Sequence, residues 1–428
     1  MKEDGVGSRL PATIRNAGTW LRRFAATTPG AIGVVLVVTT VACLVAGSTA
    51  GQQLDAKIAR TEQVLDRTEP LAFAAQSLYV SLSAADAGAA TAFLSGGIES
   101  PQVRDTYEQA LAEAAAALAE ATAGATDAQT RAIVARIAAD LPTYTGLVET
   151  ARANNRQGFP VGSAYLRQAS DLMQTSLLPN AEQLSKARFA AVREDQQRIG
   201  ALPGTSIVLM LLVLLACLVG SIVLLRRTNR LVNTGMALAV LATLVALLWT
   251  VGATVTAAQL LETGSSGAGA RVENLAGARI LAQQARTDET LALITRGDIT
   301  TTEKAFQTHS GDLRGRLVAA GGGDSDAERA LTNWNAGHNA QRTAYEKADY
   351  PGAVTQAIGT GPDSSATSFA RLDRELREDL TQARDDLRDG VAAAGTSLTL
   401  SPFGALFLLL AAAGAVISGL WPRLKEFL

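Results

Sequence analysis

Two apolar runs in the middle of the chain, Ser206–Leu225 and Met236–Thr256, constrain its fold most strongly. Neither run contains a charged residue, and each has about the 20 residues that an α-helix needs to cross the hydrocarbon of a bilayer. The segment between them includes Arg226, Arg227 and Arg230 and no acidic residue. Because short cytoplasmic loops are enriched in Lys and Arg, the sequence predicts a transmembrane hairpin with its turn in the cytoplasm.

Two further apolar runs, Ala31–Ala50 and Leu398–Leu420, bring the number of predicted spans to four and place both termini in the cytoplasm. The charges agree with this topology. The three inner segments hold ten Lys/Arg and three Asp/Glu, whereas the two large loops hold 28 and 37. We interpret the first run as an uncleaved anchor; a signal peptide cleaved near Ser48–Ala50 is the competing interpretation.

The predicted segments alternate between short cytoplasmic pieces, spans and large outer domains. In chain order they are a cytoplasmic segment (1–29), span one (30–50), an extracytoplasmic domain (51–204), span two (205–225), a cytoplasmic turn (226–235), span three (236–256), a second extracytoplasmic domain (257–397), span four (398–420) and a cytoplasmic tail (421–428). The expected location is the cell membrane. Both cysteines, Cys43 and Cys217, lie in spans, so the outer domains must fold without disulfides.

Both outer domains have the composition of helices, because Ala is abundant and helix breakers occur in clusters. The expected fold is all-α, with four transmembrane helices and two extracytoplasmic four-helix bundles. The breaks are predicted at Gly96-Gly97, 123–126, Gly158–Pro160, Gly297, Gly321–Gly323 and Tyr350–Gly352, with a kink at Pro70.

The two outer domains are further predicted to be copies of one unit. Three residues of the first recur in the second at offsets of 202, 200 and 199: Asp86, Gly97 and Tyr107 match Asp288, Gly297 and Phe306. Because each half would begin and end in the cytoplasm, the prediction is a parallel repeat about an axis along the membrane normal.

The sequence contains no recognisable catalytic or metal-binding pattern. Its two histidines, His309 and His338, are expected to be solvated polar residues, and the outer domains have no cysteine for a His/Cys zinc site. We therefore predict a protein that is not an enzyme, with no cofactor, metal or nucleic-acid partner. The spans contain no ionisable Asp, Glu, Lys, Arg or His, which disfavours transport.

Small residues recur at four-residue spacing in the spans, which allows helix backbones to pack closely. The pairs are Ala42/Ala46, Ala216/Gly220, Ala411/Ala415 and Gly414/Ser418. Both a static helical core and a set of helices that slide against each other are compatible with this pattern.

Candidate contact residues lie at both ends of the predicted molecule. At the distal ends of the bundles, the candidates for docking an outer partner are Phe93, Gly96, Gly97, Phe159, Tyr165, Arg296 and Tyr350. On the inner face, the candidates for contacting a partner or lipid are Arg22, Arg23, Arg226, Arg227, Arg230, Arg423 and Lys425. Packing into the core is the alternative for the aromatic residues, and it is the expectation for Trp334 and Tyr345.

Three parts of the chain are specific enough to compare with known families: Ala84–Asp86 with Ala92–Gly97, the Asp349-Tyr350 turn and the terminal Trp421–Phe427. In these segments, and over nearly its whole length, the chain resembles the actinobacterial GlnX-type membrane sensors. Each bundle also looks like the ligand-binding ectodomain of chemoreceptors and sensor kinases, a resemblance shared by many helical sensors.

The resemblance implies a receptor with one partner on each side of the membrane. Outside, the partner is a solute-binding lipoprotein of the GlnH type, which recognises acidic amino acids or their amides. Inside, it is a soluble Ser/Thr protein kinase of the PknG type. Two alternatives from other classes remain, namely direct sensing of small molecules by the bundles and a structural membrane subunit of a larger complex.

The predicted topology can be tested with reporter fusions. Reporters fused after residue 124 or residue 322 are expected to be active only outside the cytoplasm, and a fusion at residue 230 only inside, because the arginine-rich turn is retained in the cytoplasm. Cytoplasmic activity at residue 124 or 322 would contradict the topology.

Overall fold

The computed structural model describes residues 27–95, 101–228, 233–261, 267–295, 299–321 and 325–425. Within these ranges every regular element is a helix and no strand occurs. The prediction of an all-α fold with four candidate spans is therefore confirmed for the described residues. The internal repeat stays a prediction.

The described ranges contain fourteen α-helices and two π-helical turns. The α-helices are α1 (Thr28–Gln63), α2 (Glu69–Leu94), α3 (Pro101–Gly124), α4 (Ala128–Arg156), α5 (Gly162–Leu172), α6 (Leu178–Gly200), α7 (Gly204–Thr228), α8 (Thr234–Leu261), α9 (Ala268–Thr295), α10 (Thr300–Ala319), α11 (Asp326–Glu346), α12 (Tyr350–Ile358), α13 (Ser365–Leu398) and α14 (Ser401–Lys425).

The two π turns, Val64–Thr68 and Met173–Leu177, each lie two residues before a proline, Pro70 and Pro179. A proline has no N–H to donate, and its ring clashes with the carbonyl four residues earlier. In both places the residue before the proline donates its N–H to the carbonyl five residues earlier. The feature at Pro70 is thus a widened helical turn, and the helix continues through it.

The segment that begins at Tyr350 forms the short helix α12, where the sequence was expected to break. The Oδ1 atom of Asp349 accepts a hydrogen bond from the N–H of Gly352 at 2.9 Å and so caps this helix. Pro351 lies in the first turn, where its missing N–H has no helical partner to lose. The predicted break is confined to the residues before Tyr350.

The described chain divides into two compact units. The span unit contains the described residues up to Arg60, Ile199–Ala258 and those from Ala394 onward. The outer unit contains Thr61–Arg198 and Gln259–Ala393. The two segments predicted as separate bundles therefore share one unit, in which α2 packs against α9.

In the part of the chain that the structure describes, four long helices are apolar enough to cross a membrane, and they contain the four predicted runs. Many of their large apolar side chains are exposed, including Leu248 (64%) and Phe403 (74%). Such a surface is unfavourable in water but suits contact with lipid. These helices fit a membrane protein.

The helices of the span unit approach one another closely at glycines. A Cβ atom on Gly235 would lie 2.6 Å from the Cα of Gly419, so the backbones of α8 and α14 touch there. A Cβ atom on Gly220 would lie 2.6 Å from the Cε of Met236. Gly220 is one of the predicted small positions, and its lack of a side chain makes room for Met236.

The outer unit has a core of small and aliphatic side chains. Helix α3 presents the buried stripe Ala110, Ala114, Ala117 and Ala121. This narrow stripe lets α2 lie close, as a Cβ atom on Gly88 would be 3.4 Å from the Cα of Tyr107. In the second segment the fully buried Trp334 packs edge-on against Phe306 and Phe369.

The close approach of α8 and α14 can be tested with Gly235→Leu. A leucine there would meet backbone atoms of α14, and overpacking of this kind typically costs about 1–3 kcal/mol. We expect a lower Tm of the detergent-solubilised chain. The control is Gly414→Leu on α14, since no atom of the described residues lies within 4 Å of a Cβ at that position. Equal Tm values for the two variants would contradict the packing.

Candidate functional site

The turn after α4 exposes two apolar side chains at one end of the first segment. Gly158, with a φ of +74°, ends the helix in a left-handed conformation. The N–H of Phe159 donates to the carbonyl of Asn154 at 2.9 Å, and the N–H of Gly158 to that of Asn155 at 3.0 Å. These bonds form a Schellman motif, which fixes the turn. Phe159 is left 54% exposed and Val161 48% exposed.

The corresponding turn after α11 ends differently. Ala348 adopts the left-handed conformation with a φ of 61°, and the N–H of Asp349 donates to the carbonyl of Ala344 at 2.9 Å. The hydroxyl of Tyr350 then donates to the carbonyl of Leu293 at 2.9 Å, and its ring packs near Tyr345. Tyr350 therefore holds α12 against α9 rather than facing solvent.

The predicted docking residues differ in how exposed their side chains are. Phe159 is exposed, whereas Phe93 and Tyr165 are half-buried against the core of the first segment. Tyr350 is half-buried and bonded to α9. Gly96, Gly97 and Arg296 lie outside the described residues.

Two of the predicted inner-face residues, Arg226 and Lys425, are exposed at the ends of α7 and α14. Arg227 and Arg423 belong to the same helices, but their side chains lie outside what the structure describes. Arg22, Arg23 and Arg230 also lie outside the described residues.

A buried carboxyl group lies at the centre of the first segment. Asp86 on α2 accepts hydrogen bonds from the Tyr144 hydroxyl on α4 at 3.4 Å, the Ser170 hydroxyl on α5 at 3.0 Å and the Gln174 amide in the π turn at 3.4 Å. All of these partners are neutral. Burial raises the pKa of Asp86 to about 6, although the hydrogen bonds from Ser170, Gln174 and Tyr144 oppose it.

The second segment encloses a more highly charged centre. Glu289 on α9 is fully buried and pairs with Arg286. It also accepts hydrogen bonds from Trp334 Nε1 at 3.2 Å and from the Ser365 hydroxyl. His338 Nδ1 lies 3.2 Å from its Oε1 atom. Burial by itself raises the pKa of Glu289, but Arg286 and His338 outweigh it and hold this pKa below its usual value.

His338 contacts a carboxylate with each ring nitrogen. Its Nε2 atom lies 2.9 Å from Glu303 Oε2, opposite the contact with Glu289. Carboxylate oxygens only accept hydrogen bonds, so the ring satisfies both contacts when each of its nitrogens carries a proton. Burial lowers the pKa of His338, but Glu289 and Glu303 together raise it above its usual value. The ring also stacks on Phe306, with centroids 3.6 Å apart.

The expectation that both histidines are solvated was wrong for His338, which is 5% exposed. The sequence carried a signal that could have located it, because His338 lies four residues after Trp334 and therefore on the same helical face. His309 is half-buried, and its Nδ1 atom lies 2.8 Å from Asp288 Oδ2.

The two buried centres share an arrangement. In the first centre, Asp86 on α2 accepts hydrogen bonds from Tyr144 on α4 and from Ser170, which follows on α5. In the second centre, Glu289 on α9 accepts hydrogen bonds from Trp334 on α11 and from Ser365, which follows on α13. By these partners the residue that corresponds to Asp86 is Glu289, not its neighbour Asp288, which contacts His309 instead. The recurrence is compatible with the predicted repeat.

Neither centre has the chemistry of a metal site. Across the ranges that the structure describes, no group of three or more His, Cys, Asp or Glu side chains is placed to hold a metal ion. The charges of the second centre are instead balanced among its own side chains.

One comparison with known proteins gives a match. Residues 60–197 match the family model of the actinobacterial sensor domain. The matched region covers the first segment of the outer unit, including Asp86 and Phe159, and it indicates a sensing or signalling role. No curated protein and no solved structure matches the chain.

The buried Asp86 predicts a pH dependence of stability. Because its folded pKa of about 6 lies above the ordinary 3.8, the protonated acid favours folding. This contribution is complete below about pH 4 and is lost as the pH rises through 6, at about 1.4 kcal/mol per pH unit. The loss falls between these two pKa values, so we expect the Tm to fall less between pH 4 and 6 in Asp86→Asn than in the wild type.

The control for this measurement is Asp105→Asn, which changes an exposed carboxylate on α3. Its Tm should vary with pH as the wild type does. An unchanged pH dependence in Asp86→Asn would show that this carboxyl group is not titrating in the folded bundle.

Proposed function

We propose that this chain is a transmembrane receptor subunit that detects extracellular amino-acid availability through a solute-binding lipoprotein of the GlnH type. It relays this signal to a cytoplasmic Ser/Thr protein kinase of the PknG type. The family match over residues 60–197 supports sensing, and the four apolar helices support a membrane location. The two partners follow from the resemblance to GlnX-type sensors.

The exposed turn at Phe159 and Val161 carries the docking part of this proposal. It lies within the matched sensor region, and its backbone is fixed by the Schellman bonds to Asn154 and Asn155. A fixed turn loses little conformational freedom on binding, and exposed aromatic side chains often dominate interface energies. A lipoprotein with a complementary apolar pocket could therefore bind here.

The signal is proposed to pass along continuous helices. The first candidate span belongs to one helix of 66 residues, Pro29–Leu94, which also carries Asp86. A docked lipoprotein shifts an equilibrium between two packings only if it binds one of them more tightly. A small piston or rotation of this helix would then change the inner ends of the spans.

On the inner face, Arg226 and Lys425 are proposed to contact the kinase or anionic lipids. Their side chains are exposed at the ends of α7 and α14. Arg22, Arg23, Arg227, Arg230 and Arg423 complete the basic set in the proposed topology.

Docking can be tested by capturing a purified GlnH-type lipoprotein on the full chain in nanodiscs. The double variant Phe159→Ser/Val161→Ser is expected to weaken capture at least tenfold, because loss of an interface anchor typically costs about 2 kcal/mol or more. The matched control is Val318→Ser on α10, which removes an apolar side chain that is 56% exposed.

The amount of captured lipoprotein should also differ between samples with and without glutamate, aspartate or their amides. Equal capture by the double variant and the control would exclude the turn as the docking site. Failure of the wild type to capture the lipoprotein under any of these conditions would reject the proposed function.

A further inference from the structure

An open groove of about 720 Å³ lies between α6, α9 and α10 in the outer unit. Its volume falls within the range typical of small-molecule sites. The floor includes the buried apolar side chains Phe189, Ala276 and Ile280. The walls carry charged side chains of both signs, which are not distributed evenly.

One end of the groove is acidic. Glu182 on α6 and Asp312 on α10 line this end, and both lie close enough to His309 to influence it. The hydrogen bond with Asp288 is the main cause of the raised pKa of His309, and the carboxylates of Asp312 and Glu182 add to it. Lys186 pairs with Glu182 at 2.6 Å. Three carboxylates thus face one imidazole and one ammonium group, which leaves negative charge for a cationic ligand group.

Two arginines line the other end. Arg193 on α6 pairs with Glu273 on α9. Arg316 on α10 donates to the Asn274 side chain at 3.1 Å, and its Cζ atom would lie 3.4 Å from a Cβ on Gly277. The guanidinium therefore lies over the floor of the groove. The bond to Asn274 uses one of its five N–H donors, and guanidinium groups bind carboxylates in a bidentate manner.

The spacing of the two charge types suits a small ligand. Asp312 and Arg316 are one helical turn apart on α10, a rise of about 6 Å. Gly311 and Gly315 lie on the same wall, and no atom of the described residues is within 4 Å of a Cβ at either position. The wall therefore leaves open space beside the two charges.

We propose that this groove binds a small zwitterion of the size of a free amino acid. Its ammonium group faces Asp312 and Glu182, and its carboxylate faces Arg316. A ligand with only one sign of charge would leave one end of the groove uncompensated. This binding needs no lipoprotein. It goes beyond the docking function, because the outer unit itself binds the small molecule.

The test uses the full chain in nanodiscs without a lipoprotein. Calorimetric titrations compare the zwitterions glycine, L-glutamine, L-glutamate and L-arginine with succinate and putrescine, which each carry a single sign of charge. We expect saturable binding of at least one zwitterion at one site per chain. Succinate and putrescine should bind at least tenfold more weakly.

Variants then locate the site. Gly315→Leu places a side chain in the open space and is expected to abolish binding, whereas Gly146→Leu should leave it unchanged. Gly146 is a matched control, because it is an exposed helical glycine on α4 with no atom of the described residues within 4 Å of its Cβ position. Arg316→Gln and Asp312→Asn should each weaken binding at least tenfold, at an unchanged Tm.

Three outcomes would overturn the proposal: no saturable binding of any zwitterion, equal binding of succinate or putrescine, or wild-type affinity in Gly315→Leu. If Gly315→Leu lowers the Tm, the affinity of Arg316→Gln for the zwitterion is used instead, and wild-type affinity in that variant would overturn the proposal. Capture of the lipoprotein is measured on the same preparation. Intact capture without zwitterion binding would reject the groove and leave the docking function standing.

Discussion

A carboxyl group withdrawn from water lies at the centre of each half of the outer unit, and the packing around it depends on how its charge is compensated. An isolated buried carboxylate is strongly unfavourable, so the surrounding helices must supply partners or the group must take up a proton. Glu289 is compensated by Arg286 and by its contact with His338. Asp86 has hydroxyl and amide partners, and burial raises its pKa to about 6 at the centre of the region that matches a sensor domain.

The two halves differ in the contacts that hold the buried acid. In the second half, His338 bridges the carboxylates of Glu289 and Glu303. The hydroxyl of Tyr350 also donates a hydrogen bond to α9. The first half has weaker, neutral hydrogen bonds at its centre and an exposed apolar turn at Phe159. A half whose buried acid is held by neutral groups has less electrostatic energy to lose when its helices move.

Much of the fold could be predicted because the relevant signals are local. Uncharged runs of span length identified the four candidate spans, and the predicted breaks at 123–126 and Gly158–Pro160 fall between described helices. Two features of local origin were nevertheless not predicted. The side chain of Asp349 caps a helix, α12, where a break was predicted. Because Pro70 and Pro179 have no N–H to donate, the helix widens into a π turn before each proline and then continues.

The candidate sites were harder to predict, because burial is a property of tertiary packing. Phe159 and Tyr350 both follow helix breaks, yet one faces solvent and the other is bonded to α9. A polar residue such as His338 enters a core only when partners from other helices, here Glu289 and Glu303, compensate its charge. The groove between α6, α9 and α10 brings together residues more than 100 positions apart in the sequence, such as Glu182 and Asp312.

The π turn at Met173–Leu177 has a consequence for how the length of this helix can vary. A π turn is an α-helix that has accommodated one additional residue within a single turn. Loss of one residue there, together with replacement of Pro179, would restore the regular α-helix, and the side chains of the flanking α5 and α6 would stay on the same faces. Elsewhere in these helices the same deletion would rotate everything beyond it by about 100°, because an α-helix has 3.6 residues per turn. Single-residue insertions and deletions among related chains should therefore concentrate at this turn.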